Sequence, residues 1–374
     1  MGSGKGKSHF GKGEIVLTTI FATVIVLGIL VFVHELGHFL LAKKLGVGVL
    51  KFSLGFGPKL IGKKIGETIY QVAIFPLGGF VKLIGENPEE EVKEEDRPRS
   101  YSNQPVWKRA LIVSAGPFFN FFLSALLFST VNLSGIPYFP SKIGEVSPGL
   151  PADKAGLIKG DLILSMDGKE VSKWEEVSKI IRSSQGKELR MKIKRGNEVI
   201  ELTVSPKPST QKNLFGEEVQ TYIIGITPFD QISVEKVNPI VAIGIGFSQT
   251  WSGIKLTYMT ILKLIGRVIP AKTIGGPILI AQLAGEQAKR GLVSLVLFMA
   301  ILSINLGVIN LIPIPILDGG HFLFLALEAI LRRPLSIKKM EIAQQVGLIF
   351  IILLMLFAFY NDLIRIFSPG GLKF

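Results

Sequence analysis

Apolar positions in this chain are gathered into long blocks separated by stretches dense in charge. Ile15 to Val33 holds nineteen residues without a charge, and Gly291 to Leu317 holds twenty-seven. Crossing roughly 30 Å of hydrocarbon takes about 20 apolar residues in a helix. Four segments meet that requirement: 15–42, 110–133, Leu292–Leu317 and Ile342–Asn361. The first is too long for the apolar part of a cleavable leader and lacks a small-residue cleavage site. A fifth block, Asn238–Ile269, carries Lys255, Lys263 and Arg267. At about 100° per residue, Ile243, Phe247, Trp251, Ile254, Tyr258, Ile261, Ile265 and Val268 fall on one stripe, with Gln249, Ser252, Lys255, Lys263 and Arg267 opposite. That pattern predicts an amphipathic helix lying on a membrane or against a helix bundle, not a crossing one.

Between the blocks the periodicity changes. Phe52–Pro58 and Gln71–Phe80 are short β-like runs broken by Gly and Pro, too short to span. They fit either a hairpin outside the membrane or a β-element at membrane depth with its backbone covered by helices. Glu86 to Arg99 is acidic and reads as a solvated loop. From Ile143 to Lys207 the chain has the alternation of a small α/β module. It contains short strands at 143–146 and Asp161–Met166, a helix from Trp174 to Ser183, and a hairpin of Glu188–Lys194 and Glu198–Ser205.

A mean hydropathy of +0.45 agrees with a membrane protein. The net charge of +13 raises nucleic acid as a partner, but its distribution argues against one. Twelve Lys and Arg lie from Lys43 to Arg109, and Arg332, Arg333, Lys338 and Lys339 lie between the last two spans. The positive-inside rule assigns both loops to the cytoplasm and the long Lys142–Arg290 segment to the other side.

The chemistry lies at the ends of two apolar blocks. His34-Glu35-Leu36-Gly37-His38 closes the first. Residues four apart share a helix face, so both imidazoles can bind one zinc ion with a glutamate beside it as a base. An ionisable cluster at membrane depth is costly and usually functional. The chain has no cysteine, so any zinc is held by nitrogen and oxygen. Asn310-Leu-Ile-Pro313-Ile-Pro315-Ile-Leu317-Asp318-Gly319-Gly320-His321 closes another block. It offers Asp318 as third ligand, with His321 as competitor. Glu35 then serves as general base on a zinc-activated water, and Asn310 as donor to the oxyanion. Asn120 reads as a structural polar contact between helices.

Taken together, these motifs resemble the site-2 protease family of intramembrane zinc metalloproteases, in its bacterial branch with one PDZ domain. Gly55-Phe56-Gly57-Pro58, Pro76–Lys82 and Ala115-Gly116-Pro117-x-x-Asn120 are also similar to family signatures. The resemblance implies a polytopic α-helical membrane protein with four transmembrane helices, a membrane-associated β-element and an extracytoplasmic α/β PDZ domain. It implies that His34, His38 and Asp318 bind zinc, that Glu35 is the base and that Asn310 assists with substrate. The expected layout is a tail over 1–14, the first span with the zinc motif over 15–42, a cytoplasmic loop with the β-element over 43–109, and a second span over 110–133. A PDZ domain over 142–207 follows, then a linker or edge strand over 208–237, an amphipathic helix and connecting loop over 238–290, and spans over 291–331 and 342–367.

Gly144-Glu145-Val146 and Tyr222–Ile226 are the expected edges of the PDZ groove, which either binds a peptide end or acts as a size filter. An extended substrate segment is expected on Pro76, Leu77, Gly78, Gly79 and Phe80 by strand addition. The implied setting is the bacterial inner membrane, with the site near its cytoplasmic face. The implied partners are lipid and single-pass membrane proteins such as an anti-sigma factor or signal-peptide remnants. Two rival readings are a membrane zinc transporter and a PDZ-based membrane scaffold.

Overall fold

Prolines and sharp turns, more than the apolar blocks, decide where the elements stop. The computed structural model describes residues 12–87 and 91–368, without the side chains of residues 12–15, Pro76 and Leu77. Most of the expected tail, the acidic Glu89 and Glu90, and two side chains of the expected substrate segment therefore lie outside the described part. The chain divides into two units, Met1–Val131 with Ile243–Ile261 and Pro270–Phe374, and Asn132–Ala242 with Leu262–Ile269.

Helix α1 (Lys12–Lys44) takes in the whole opening apolar block and so begins inside the segment read as a tail. Val26 and Leu30 are buried against Met299, Leu123 and Leu127, whereas Val16, Leu17 and Phe21 face outward. Strands β1 (Val49–Ile65) and β2 (Thr68–Leu83) follow as one antiparallel hairpin. Both strands bend, β1 at Gly55 and Gly57 and β2 at Gly78, where φ is positive. Residues 69–72 pair with 61–64 on one side and with 51–54 on the other. Residues 51–54 pair again with 79–82, which leaves the last segment of β2 as an edge. β2 packs beside α1, which places the hairpin against the helices. Helix α2 (Val106–Leu133) carries Pro117 internally.

The second unit contains β3 (Ile136–Tyr138), β4 (Ile143–Val146), α3 (Pro151–Lys154), β5 (Leu162–Met166), β6 (Lys169–Glu170) and α4 (Trp174–Ser183). It continues with β7 (Leu189–Arg195), β8 (Glu198–Val204), β9 (Lys207–Lys212), β10 (Glu218–Ile223), β11 (Ile226–Pro228) and β12 (Ser233–Glu235). β6-β5-β7-β8 form one antiparallel sheet; β9 pairs with β10, β11 with β4 and β12 with β3. Ile143, Ile163, Met166, Val177, Met191, Ile193 and Ile224 fill the core. The unit therefore reaches beyond 142–207, because Ile224 is buried in its core and β4 needs β11 as a partner. The two segments expected as groove edges pair with each other, Ile226 opposite Val146 and Thr227 opposite Glu145, and Tyr222-Ile223 closes β10. At the start of α4 the Glu176 carboxylate accepts from the backbone N–H of Ser172 and Lys173. These two bonds hold its carboxyl below the usual range. Asp161, almost fully buried, accepts from Arg195 Nε and Nη2 at 2.8 Å each and from the Ile158 N–H at 2.9 Å.

The chain closes with α5 (Pro239–Ile265), α6 (Pro277–Arg290), α7 (Leu292–Asn310), α8 (Asp318–Leu331) and α9 (Ile337–Phe367). Two expectations are corrected here. Much of the connecting loop after α5 is the helix α6, which packs on α1 and α9. The segment 291–331 is two helices and not one span. Pro313 and Pro315 cannot continue a helical hydrogen-bond ladder, so α7 stops at Asn310 and the chain re-enters a helix at Asp318.

For α5 the structure decides between the two expected seatings of its apolar stripe. Its large apolar stripe does not face the bundle: Ile243, Phe247, Trp251, Tyr258 and Ile265 are exposed. The inward face is the one of small and hydroxyl residues. Thr250 Oγ1 reaches Ser124 Oγ on α2 at 3.4 Å and Thr257 Oγ1 donates to Asn305 Oδ1 on α7 at 2.8 Å. This arrangement suits lipid, where tails are as apolar as leucine and helices associate through small and polar residues. Among the described residues four helices are long and apolar enough to cross a membrane: α1, α2, α7 and α9.

The Asp161–Arg195 pair holds β5 to the end of β7. Asp161→Ala is expected to cost about 1–3 kcal/mol by leaving the Ile158 N–H without its acceptor. Limited proteolysis of the full chain, with cleavage rising only within residues 132–242, checks it.

Candidate metal centre

The motif on α1 and the Asp318 turn meet in space. His34 Nε2 lies 3.1 Å from Asp318 Oδ2, His38 Nε2 lies 3.6 Å from the same oxygen, and the two Nε2 atoms are 3.3 Å apart. The helical spacing of four puts both rings on one face. Asp318 is held at the first residue of α8, where the helix dipole favours a carboxylate. The Asp-Gly-Gly sequence has a steric cause. A Cβ on Gly319 would stand 2.3 Å from the Ile312 carbonyl, and one on Gly320 would stand 2.2 Å from that of Ile314. Only glycines let the Leu311–Leu317 turn fold back onto the start of α8.

The three facing atoms fit a metal ion. His38 Nδ1 sits 2.8 Å from the Ile112 carbonyl, so its N–H donates there and Nε2 is left as a bare lone pair. Asp318 Oδ2 is buried and receives no hydrogen bond. Acceptors crowded at 3.1–3.6 Å repel one another unless a cation lies between them. Tetrahedral zinc with bonds of 2.0–2.1 Å sets its ligand atoms about 3.3 Å apart, which is the spacing present. Residues His34, His38 and Asp318 are therefore suited in donor type, number and separation to hold zinc and leave a fourth position open.

Around them is a cavity of about 870 Å³, lined also by Glu35, Phe80 and His321. Glu35 is drawn against the β-hairpin: a Cβ on Gly79 would come within 3.0 Å of Glu35 Cγ. Asn310, the last residue of α7, has its Nδ2 3.3 Å from His34 Nε2. His321, weighed against Asp318 as third ligand, lines the cavity but stands outside the cluster of three. Of the five residues expected to hold substrate, Phe80 lines the cavity, Gly79 touches the motif helix and Gly78 is half-buried beside them; the side chains of Pro76 and Leu77 lie outside the described residues.

Several contributors escape sequence reasoning. Gly116 on α2 is one, since a Cβ there would stand 2.3 Å from His38 Nε2 and 2.7 Å from His34 Cε1. Asn120, fully buried, brings Nδ2 to 3.1 Å of His34 Nδ1 and so belongs to the site. Arg109 on α2 and Glu328 on α8 form a 2.5 Å ion pair on the cavity wall. The sequence signal for Gly116 and Asn120 is their place in Ala115-Gly116-Pro117-x-x-Asn120; Arg109 and Glu328 give none.

Comparison with known proteins places this geometry in context. The profile of peptidase family M50 matches residues 22–354. A protein of Mesorhizobium japonicum bearing the provisional name zinc metalloprotease is 35% identical over 363 residues, 93% of this chain and 99% of its own length. A similarly named protein of Campylobacter jejuni is 36% identical over 345 residues, 92% of this chain and 93% of its own. Among solved structures, the PDZ domain of an SdrC-like protein from Listeria monocytogenes matches 25% of this chain and 90% of its own, at 26% identity and a TM-score of 0.20.

Gly116→Ala is expected to abolish zinc binding by pushing a methyl group onto a ligand nitrogen. Gly28→Ala, which meets nothing within 4 Å, is expected to leave it intact. Metal analysis of the two purified variants checks both.

Proposed function

As a member of peptidase family M50, this chain is a zinc metallopeptidase of the membrane, and from that premise we propose that it cuts single-pass membrane proteins within or near their spans. The observation that carries this reading is the meeting of His34, His38 and Asp318 at the wall of a cavity that also holds Glu35. A cluster bordered by apolar helices is reached most directly by another apolar helix.

Zinc supplies Lewis acidity there and lowers the pKa of water to about 7. The chain supplies the remainder. His34, His38 and Asp318 fix the ligand geometry. Glu35 takes the proton of the attacking water and returns it to the leaving amine. Asn310 donates from Nδ2 to the oxygen of the carbonyl under attack. A helical peptide bond is shielded, so the substrate is held extended. The edge of β2 at Gly79 and Phe80, paired on one side only, receives it by strand addition, with Gly78 beside them.

The basic residues of 43–109 and 332–339 support a cytoplasmic side for the loops that carry them, with the site near that face. The unit of 132–242 then lies outside, as a PDZ-like module of a bacterial inner-membrane protein. Its β11 strand, paired on one side by β4, offers a peptide end its other edge. Lipid and single-pass substrates are the partners, with no role for nucleic acid.

Glu35→Gln is expected to retain zinc while cleavage of a model transmembrane substrate falls by about 10²–10⁴-fold. Metal analysis beside a gel-based cleavage assay reads both, and undiminished cleavage refutes the assignment of the base. Phe80→Pro is expected to keep zinc and lose cleavage of a helical span, while cleavage of a span pre-extended by helix-breaking residues falls less. Equal loss on the two substrates counts against strand addition.

A further inference from the structure

The two histidines of the centre are held by different means. His38 has its Nδ1–H committed to a backbone carbonyl, that of Ile112, which fixes its tautomer through the fold itself. His34 has no such anchor. Its Nδ1 meets the Asn120 amide at 3.1 Å, and Asn310 lies almost equally far from both ring nitrogens, at 3.5 and 3.3 Å. Asn120 is thus the group that reaches Nδ1 alone.

Asn120 is fully buried on α2. Its own carbonyl accepts from Ser303 Oγ on α7 at 2.7 Å, which locks its backbone in place. Its side-chain nitrogen faces the ring while Oδ1 is buried and has no hydrogen-bond partner. With Nδ2 toward the ring, Nδ1 of His34 would have to accept and Nε2 would carry the proton, leaving no lone pair for a metal ion. Half a turn of the amide exchanges Oδ1 and Nδ2, which are nearly identical in shape. Oδ1 then accepts from an Nδ1–H, and the Nε2 lone pair is released toward Asp318 and His38. The turn exchanges which end of the amide is unpaired, so the tautomer of His34 sets its cost.

We propose that Asn120 is the positioning residue of the metal centre: its amide oxygen accepts from His34 Nδ1–H and fixes the tautomer whose Nε2 binds zinc. The proposal rests on the metallopeptidase reading above. Partners of this kind orient metal-bound histidines, and losing one typically costs 10–100-fold in metal affinity.

The test is the zinc affinity of the purified full-length chain, by competition with a chelating dye, for wild type, Asn120→Ala, Asn120→Leu, Asn120→Asp and Asp318→Ala. The alanine and leucine variants are expected to bind zinc about 10–100-fold more weakly. The aspartate variant, which can only accept, is expected to bind at least as tightly as wild type. A purely structural role predicts the reverse order for aspartate, since it buries a charge. Affinities for alanine and leucine within twofold of wild type, or an aspartate loss equal to theirs, overturn the proposal. If the alanine and leucine variants fail to fold, aspartate decides it alone: binding retained supports, binding lost refutes. Asp318→Ala separates the two levels, because a chain that keeps its zinc without Asp318 refutes the metal assignment itself.

Discussion

Three acceptor atoms from two distant parts of the chain are forced to within 3.6 Å of one another in a poorly solvated place. Such an arrangement is unfavourable on its own, and a divalent cation turns the repulsion into attraction. The surrounding structure reads as the means of holding that unfavourable cluster together. One helix offers two imidazoles a turn apart. A second helix comes close enough to touch both rings because its contact residue, Gly116, has no side chain. A broken third segment delivers the carboxylate, its break enforced by Pro313 and Pro315 and its re-entry made possible by two glycines.

The same logic sets the lipid-facing parts. α5 turns its aromatic and branched residues outward and packs through Thr250 and Thr257, because burial of apolar surface gains nothing where the solvent is itself apolar. The second unit obeys the rule of water instead, with a core of Ile, Met and Val and its one deeply buried carboxylate, Asp161, paired with Arg195. Two solvents have shaped one chain, and the side chains that face inward differ accordingly.

Much of this was legible in the sequence. Block length identified helices α1, α2, α7 and α9, and spacing joined His34 to His38. What periodicity could not supply was direction. The hydrophobic stripe of α5 was clear, but a moment points toward the less polar neighbour, and in a bilayer that neighbour is the lipid. Spacing also could not show that β1 and β2 bend to pair twice, since long-range register leaves no local trace. Asp318 was read as the third ligand with His321 as its competitor, and the fold-back at Gly319 and Gly320 brings Asp318 to the two histidines. Asn120 was read as a contact between helices, which it is through its backbone carbonyl; its side chain meets His34 as well.

The Arg109–Glu328 pair gives the cavity one fixed side. Its partners are mostly shielded and 2.5 Å apart, so parting α2 from α8 strands two charges where water cannot easily follow. The wall that carries the carboxylate is therefore the jamb of the cavity, the side that keeps its place as a guest enters.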